Sequence, residues 1–430
     1  MLPKLTQKQT EVKRLGIPKI DSPLKLSTQI SLHSHVLYNP YYQEKNKDRV
    51  SFEISIPENK IYFDPKKVTA GIVTCGGICP GLNNVIRAIV LGMHYNYGVS
   101  NIYGIRYGLQ GFIAKYELPI IKLTPEAVSN IHEIGGTILG SSRGEQPIDE
   151  IVDFLEHQNM NILYVIGGDG TLRATERITQ EIYARNLKIA VVAIPKTIDN
   201  DIAFVHRSFG FETAVDIATQ SIQGAHAEAT SFPNGIGLVK LMGRHSGFIA
   251  ASAAIAQRDV NYVFIPEIDF DLDGPKGFLS ELKKRMLSKS HAVIVVAEGA
   301  GQKFFEKQNQ EKDASGNIKL MDIGVYLKDR ITRYFKEENI PLNLKYIDPS
   351  YLIRSVAANT NDGLFCATLG QNAVHAAMAG KTEVLVSNWH GVYCNLPISL
   401  AISQKKTIHP GERLWLNVLE STGQPSFQND

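Results

Sequence analysis

The sequence predicts an α/β protein built on two mostly parallel sheets, each covered by helices, with an N-terminal arm in front. Three observations carry that reading. From Lys67 onward, apolar runs of strand length alternate with segments of helical spacing. Glycine-rich turns follow several of those runs. The alternation then restarts near His206. Strands that alternate with helices imply parallel pairing with both faces covered.

Residues 1–66 are rich in Lys, Ser, Pro and Tyr and show no sustained period. Only VSFEISI, residues 50–56, alternates as one or two strands do. An extended arm, packed on the body or on a neighbouring subunit, is expected here; a partly disordered tail is the alternative. Beyond it, VTAGIVT reads as a strand, GGICPGLN as a glycine-rich turn and NVIRAIVLGMHY as a helix. NIYGIRYG is a strand, EAVSNIHEIG a helix and GTILGSS a strand. IDEIVDFLEHQ and LRATERITQEIYARN are helical, and the runs ILYVI and IAVVAI are buried strands. In the second portion TAVDIATQSIQGAHAEA is a long helix, and GIGLVKLMG is a strand feeding HSGFIAASAAIAQ. YVFIPE and AVIVVAEG are further strands, and the polar stretch FFEKQNQEKDASGNIKLMD is a loop. GVYLKDRITRYFKEE is helical, and YLIRSV, DGLFCATLGQNAVHAAMAG and TEVLVSN read as strand, helix and strand.

Composition excludes several classes. A chain of 430 residues with 43% hydrophobic and 20% charged residues is an ordinary globular protein with ample core. A formal net charge of +2 and the lack of any Lys/Arg block argue against a nucleic-acid partner. Apolar runs such as HAVIVVA are too short to span a bilayer, so no membrane partner is expected. Four cysteines do not make a disulfide framework, and Cys75 and Cys79 read as packed, reduced thiols rather than metal ligands. The first twenty residues lack the apolar core of a secretory signal, and Glu11 and several prolines speak against a mitochondrial presequence. The expected location is cytoplasmic.

Two motifs hold most of the chemistry. GGDGT, residues 167–171, follows the strand ILYVI. Its glycines clear room, Asp169 can hold a cation, and Thr171 can donate a hydrogen bond; alternatively, Asp169 or Thr171 simply caps the next helix. PKTIDND, residues 195–201, follows the strand IAVVAI. If it is extended, Thr197, Asp199 and Asp201 share one face; alternatively, the stretch is a hydrogen-bonded Asx turn. Two carboxylates so close raise one pKa unless a cation such as Lys196 or Mg²⁺ offsets them. That division makes Asp199 a general base on a substrate hydroxyl and puts Asp201 near the metal. The turn GGICPGLN, with Gly76, Gly77 and Gly81 before a helix, suits a phosphate or is plain punctuation. A third group reads substrate: Arg244 in MGRHSG, Glu298 after AVIVVA, and Lys345, Tyr351 and Arg354 in KYIDPSYLIRS. The planar fork of arginine suits a phosphate.

From residue 68 to residue 388 these motifs, in order, resemble the 6-phosphofructokinase family: GGICPGLN, YGLQGF, GTILGSSRG, GGDGT, PKTIDND, SFGFETA, MGRHSG, AEG and YIDPSYLIRS. The resemblance implies two Rossmann-like three-layer α/β/α domains. They are a nucleotide-binding domain over residues 67–205 plus 347–402 and a fructose 6-phosphate domain over 206–346 plus 403–430. It implies transfer of a phosphoryl group to the carbon-one hydroxyl of fructose 6-phosphate, a step of glycolysis. Gly77, Tyr107, Arg143, Gly168, Asp169, Gly170 and Thr171 would line the donor site. Asp169 and Asp201 would lie at Mg²⁺. Thr197 and Asp199 would meet the reacting hydroxyl, with Asp199 as base and Lys196 and Arg244 neutralising charge. Met242, Gly243, Arg244, Glu298, Tyr351 and Arg354 would hold the sugar phosphate, with Lys345 at the 6-phosphate. A homodimer or homotetramer is implied.

The donor turns on one position. Members that use pyrophosphate resemble this chain at Lys196 but carry a second aspartate where it has Gly170, which crowds a nucleotide's α-phosphate. Gly170 therefore favours ATP, and the mixture resembles the ATP-dependent branch of protists and plants. Pyrophosphate remains the alternative donor, and a catalytically silent sugar-phosphate sensor the remoter one. The chain departs from short bacterial members at Asn234 and Gly235 and at Leu91, so their intersubunit arginine contact and ADP regulation are not carried over.

Overall fold

The computed structural model describes residues 4–24, 34–40, 49–305, 311 and 318–429. The chain forms two compact units. Unit 1 comprises Met1–Ile198, Ile202–Gly210 and Ser355–Lys405, and unit 2 comprises Asp199–Asp201, Phe211–Arg354 and Lys406–Asp430. Unit 1 begins with β1 (Lys13–Arg14), β2 (Ile20–Asp21), β3 (His35–Leu37), β4 (Ser51–Ile54), β5 (Lys60–Ile61) and β6 (Thr69–Thr74). It continues with α1 (Leu82–Leu91), β7 (Asn101–Ile105), β8 (Ile121–Lys122), α2 (Ile148–His157), β9 (Ile162–Gly167), α3 (Asp169–Ala184) and β10 (Ala190–Pro195). Unit 2 holds α4 (Phe211–Ser231), β11 (Gly235–Leu241), α5 (Phe248–Gln257), β12 (Tyr262–Phe264) and α6 (Phe278–Lys289). It goes on with β13 (His291–Ala297), α7 (Ile323–Glu337), β14 (Asn343–Ile347) and α8 (Ser350–Ser355). The chain returns to unit 1 with α9 (Thr360–Met378), β15 (Lys381–Thr382), β16 (Val384–Trp389), β17 (Val392–Pro397) and α10 (Ile398–Ala401), and α11 (Arg413–Thr422) belongs to unit 2.

Unit 1 is a nine-stranded sheet in the order β3-β4-β17-β16-β10-β9-β6-β7-β8. Its five central strands, from β16 to β7, are parallel, and β9 and β10 are buried along their whole length. Burial on both faces is why these runs read as continuously apolar. Ile151, Val152 and Leu155 of α2 and Ile178 and Ile182 of α3 pack on Val73, Val165 and Val191. α1 and α9 approach each other so closely that a Cβ on Gly370 would stand 2.6 Å from the Ala88 Cβ, which only glycine allows. From β6 the chain moves to β7 on one side, while β9 pairs with β6 on the other. The strand order thus reverses at β6, and a crevice opens beyond the carboxyl ends of such strands.

Unit 2 is a four-stranded, wholly parallel sheet in the order β12-β13-β11-β14. Its core joins Ile236, Leu238, Phe264, Ile294 and Val296 to Phe278 of α6 and Leu327, Ile331 and Phe335 of α7. The registers Leu241↔Ala297 and Val239↔Ile347 bring the carboxyl ends of β11, β13 and β14 level.

Four expectations of local structure are corrected. GTILGSS is not a strand: Gly136 and Gly140 have φ of 74° and 68°, and its backbone serves the neighbouring loops instead. Gly140 O accepts from Thr74 Oγ1, Ser142 O from Gly76 N, and Ile138 N donates to Asn83 Oδ1. EAVSNIHEIG forms turns and one short 3₁₀ segment, Ile131–Glu133, rather than a helix. YLIRSV is helix α8, because Asp348 caps its start through Ser350 N at 3.1 Å. PKTIDND does not stay extended past Thr197: Ile198 and Asp199 turn, and Asn200 is left-handed with φ 55°. Most of the polar stretch expected as a loop near residue 310 lies outside the described residues.

The described part of the arm packs on unit 1. Phe52 of β4 is fully buried against the rings of Tyr38, Phe204 and Trp389. Lys381, itself buried, pairs with Glu53 at 2.6 Å and Glu58 at 3.0 Å, and Arg14 bridges the same two carboxylates.

Candidate active site

In unit 1 the loops after β6, β9 and β10 lie side by side, because Thr74 pairs with Ile166 and Gly167 with Pro195. The loop after β6 turns through Gly76 (φ 84°) and Gly81 (φ 98°), the latter capping α1. Lys196 leaves β10 and crosses to this loop, where its ammonium donates to Gly77 O at 2.7 Å. The Arg143 guanidinium reaches the same place: a Cβ on Gly77 would be 3.3 Å from its Nη2. Cys75 is fully buried beside them, its thiol pushed up to about 12 by burial although Lys196 pulls the other way. Gly168 is the N-cap of α3 and Asp169 its first residue, ion-paired to Arg173 at 3.3 Å. Thr171 packs so closely on Gly167 that a Cβ there would stand 2.4 Å from it. A Cβ on Gly170, by contrast, would meet nothing within 4 Å. Tyr107, left-handed at φ 54°, lays its ring against Gly140, and Ser208 Oγ donates to Thr197 O at 2.6 Å. Unit 1 thus gathers Gly77, Lys196 and Arg143, two of them cationic, by the loops that lead into the positive N-terminal ends of α1 and α3.

Unit 2 gathers the carboxylates. Asp199 Oδ1 is shut off from solvent. Burial pushes the Asp199 pKa well above the usual carboxylate range, and the charges of Asp201 and Glu298 push it further. The backbone N–H and the guanidinium of Arg244 pull it back. Ser246 Oγ donates to Asp199 O at 3.1 Å. Glu298 follows β13, its N–H bonded to Leu241 O at 2.9 Å, and burial raises its pKa too, with Arg244, Lys240 and Arg354 opposing. Met242, Gly243 and Arg244 continue from β11 beside it; a Cβ on Gly299 would stand 2.0 Å from Arg244 O, so glycine is required there. Arg244 Nη1 donates to Ile318 O at 2.8 Å. On α8 the Arg354 guanidinium lies 4.6 Å from the centre of the Tyr351 ring, and Tyr351 is 75% exposed. Lys345 is not brought to this group. It sits inside β14 opposite Gly237, with its ammonium 5.6 Å from the Phe232 ring.

Sequence reading missed three residues of this unit. Lys406 N donates to Asp201 O at 3.0 Å, and its ammonium stands 4.9 Å from the Phe248 ring centre. Burial lowers its pKa to about 7 against the charges of Asp201 and Glu412. Glu267 accepts Gly247 N on both oxygens, at 3.0 and 3.1 Å, and Ile408 N at 2.9 Å. Lys240 bridges Asp322 and Asp348. None of the three stands in a motif; the one signal was a lysine inside the apolar strand GIGLVKLMG. No cluster of three or more His, Cys, Asp or Glu side chains able to hold a metal ion occurs among the described residues, and none of their helices is long and apolar enough to cross a membrane.

The phosphofructokinase family matches residues 69–377. The chain is 53% identical over 399 residues to an ATP-dependent 6-phosphofructokinase of Borreliella burgdorferi, covering 91% of this chain and 89% of that one. It is 43% identical to an ATP-dependent 6-phosphofructokinase of Trypanosoma brucei brucei over 98% of this chain and 89% of the relative. A chloroplastic ATP-dependent 6-phosphofructokinase 5 of Arabidopsis thaliana is 50% identical over 86% of this chain and 68% of its own length. Among solved structures, a pyrophosphate-dependent phosphofructokinase of Marinobacter aquaeolei has the same fold, with a TM-score of 0.68 at 18% identity, over 84% of this chain and 92% of that one. With a family match over most of its length, and relatives this similar over nearly all of it, the chain belongs to the phosphofructokinase family.

Proposed function

We propose that this chain transfers the terminal phosphoryl group of ATP to the carbon-one hydroxyl of fructose 6-phosphate, giving fructose 1,6-bisphosphate and ADP. The observation that carries the reading is the setting of Asp199. Burial and two neighbouring carboxylates make its ionised form hold a proton strongly once offered one, which is what a general base needs. The names of the relatives support ATP as donor and fructose 6-phosphate as acceptor.

Asp199 accepts the proton of the carbon-one hydroxyl as its oxygen attacks phosphorus, and Thr197 orients that hydroxyl. Arg244, Lys196 and Arg143 spread the charge of the transferring group. Such positioning and electrostatics account for most of phosphoryl-transfer catalysis. Glu298 takes hydrogen bonds from sugar hydroxyls, and Met242, Gly243, Tyr351 and Arg354 complete the sugar-phosphate side. Gly77, Tyr107, Gly168, Asp169, Gly170 and Thr171 line the donor side. Asp169 and Asp201 would hold Mg²⁺. Mg²⁺ would need only one or two carboxylates from the protein, and Asp169, at the start of α3 with a third of its side chain exposed, is accessible to such an ion. When bound it neutralises charge on the donor phosphates. The open space beside Gly170 supports a nucleotide donor over pyrophosphate.

A coupled assay for fructose 1,6-bisphosphate, run in parallel with ATP and with pyrophosphate, tests the reading. Product with ATP and none above background with pyrophosphate is expected. Equal turnover with pyrophosphate overturns the donor, and no product with either leaves a sugar-phosphate sensor.

A further inference from the structure

Unit 2 contains a second charged group that the reaction does not use. Lys240 is the one residue of β11 that is not fully buried, and its ammonium lies 2.9 Å from Asp322 Oδ2 and 2.9 Å from Asp348 Oδ2. Both carboxylates have a second task. Asp322 is the N-cap of α7, accepting Val325 N at 3.1 Å. Asp348 Oδ1 accepts Ser350 N at 3.1 Å and Ser350 Oγ at 2.5 Å at the start of α8. Tyr346 adds its hydroxyl to Asp322 Oδ1 at 3.4 Å. The register Val239↔Ile347 sets Lys240 beside Asp348, one residue beyond the pair. One cation therefore ties the end of the central strand to two helix starts, and the second of those helices carries Tyr351 and Arg354.

We propose that Lys240 is a positioning residue for the sugar phosphate: by binding Asp348 it fixes the start of α8, and so sets where Tyr351 and Arg354 meet the substrate. The proposal rests on the assignment of Tyr351 and Arg354 to the sugar-phosphate side. Helix α8 has six residues and little of its own to hold it, since Tyr351 and Leu352 are 75% and 66% exposed and Ile353 alone is buried in its middle. A short helix with one buried residue depends on its cap for orientation. Asp348 in turn is about one-third exposed, so its hydrogen bonds to Ser350 compete with water unless a cation holds the second oxygen. Lys240, with only 12% of its side chain accessible, is placed to do that. Its side chain also acts on Glu298, favouring the ionised form, so the same cation serves the other sugar-facing carboxylate.

The test compares Lys240→Met, Lys240→Arg, Asp348→Asn and Arg354→Ala with the unmodified enzyme. It measures kcat, the KM for fructose 6-phosphate, the KM for ATP, and thermal stability. For Lys240→Met the KM for fructose 6-phosphate is expected to rise about tenfold, with kcat changed less than about threefold and the KM for ATP unchanged, the signature of lost substrate positioning. Lys240→Arg should recover most of the loss, and Asp348→Asn should reproduce it. In a variant carrying both Lys240→Met and Asp348→Asn the two effects should not add, because they remove one interaction. An unchanged KM for fructose 6-phosphate in Lys240→Met, or losses in all kinetic constants that track a fall in thermal stability, overturns the role. If Lys240→Met does not fold, Asp348→Asn carries the same expectation and the same refutation. If Arg354→Ala raises the KM while Lys240→Met and Asp348→Asn do not, Lys240 alone is dismissed. If Arg354→Ala leaves the KM unchanged, the assignment of α8 falls and the role of Lys240 with it.

Discussion

Asp199 must be ionised to accept a proton, yet burial and the charges of Asp201 and Glu298 resist ionisation, and the Arg244 backbone N–H and guanidinium offset them only in part. Replacing it removes the base without touching the donor loops. Asp199→Ala is therefore expected to lower kcat by about three orders of magnitude, within the range for a positioned base, while the KM for ATP moves only a few-fold. A kcat close to that of the unmodified enzyme would take Asp199 out of the base role. Gly170 offers the complementary prediction. It lies in α3 with ordinary helical backbone and open space around its missing Cβ, so Gly170→Asp should fold with little change in melting temperature. Its added carboxylate should nonetheless repel a nucleotide and raise the KM for ATP; unchanged ATP affinity would undo the crowding argument. Asp199, Lys196 and Gly170 were legible because each stands in a short motif at the end of an apolar run. Lys240, Glu267 and Lys406 were not, because their hydrogen-bond and ion-pair partners lie from 20 to 205 residues away along the chain and only the fold brings them together.

Long buried elements were legible and short capped ones were not. The runs that became β9, β10, β11 and β13 are apolar throughout, and period and length alone sufficed for them. YLIRSV has the same composition but is a helix, since Asp348 and Pro349 set its first turn, and β-propensity yields to capping in a segment this short. Helix α9 carries a consequence that composition does not show. His375 on it is hydrogen-bonded through Nδ1 to Tyr97 Oη at 2.9 Å, and burial, with the charge of Lys381 adding to it, lowers its pKa from 6.5 to about 4. The unfolded chain takes up this proton near pH 6.5 and the folded chain only near pH 4, so stability falls as pH is lowered through that window and is unaffected by His375 above it. The loss amounts to about 3 kcal/mol at 1.36 kcal/mol per unit. Urea denaturation across that pH range should show the fall, and His375→Gln should flatten it. An equally steep fall in the variant would assign it to other groups.

At the scale of the whole chain, two α/β portions were visible in the sequence, and so was VSFEISI, which holds β4, but the other N-terminal strands were not, since no other stretch of the arm has a strand period. The structure makes that segment part of the core. β4 pairs with β17, and β3 pairs with β4, so the arm covers what would otherwise be the open edge of β17. An uncovered edge strand is a template for aggregation. Phe52 anchors the cover, with ring centroids 5.7 Å from Tyr38, 6.4 Å from Phe204 and 5.7 Å from Trp389. Trp389 Nε1 also donates to Tyr38 O at 2.9 Å, so the tryptophan reports on the same contact. Removing the Phe52 ring leaves a cavity among aromatic neighbours that cannot collapse into it, at a cost of about 3–5 kcal/mol. Phe52→Ala is accordingly expected to lower the unfolding free energy by that amount, read as a lower denaturant midpoint, and to shift Trp389 emission to the red, with KM values unchanged in the protein that remains folded. Deletion of residues 1–57 should go further, uncovering β17 and giving aggregated or unfolded protein. A Phe52→Ala variant with an unchanged midpoint, or a deletion variant that stays soluble and fully active, would mean that the arm is an appendage and that the sheet is complete without it.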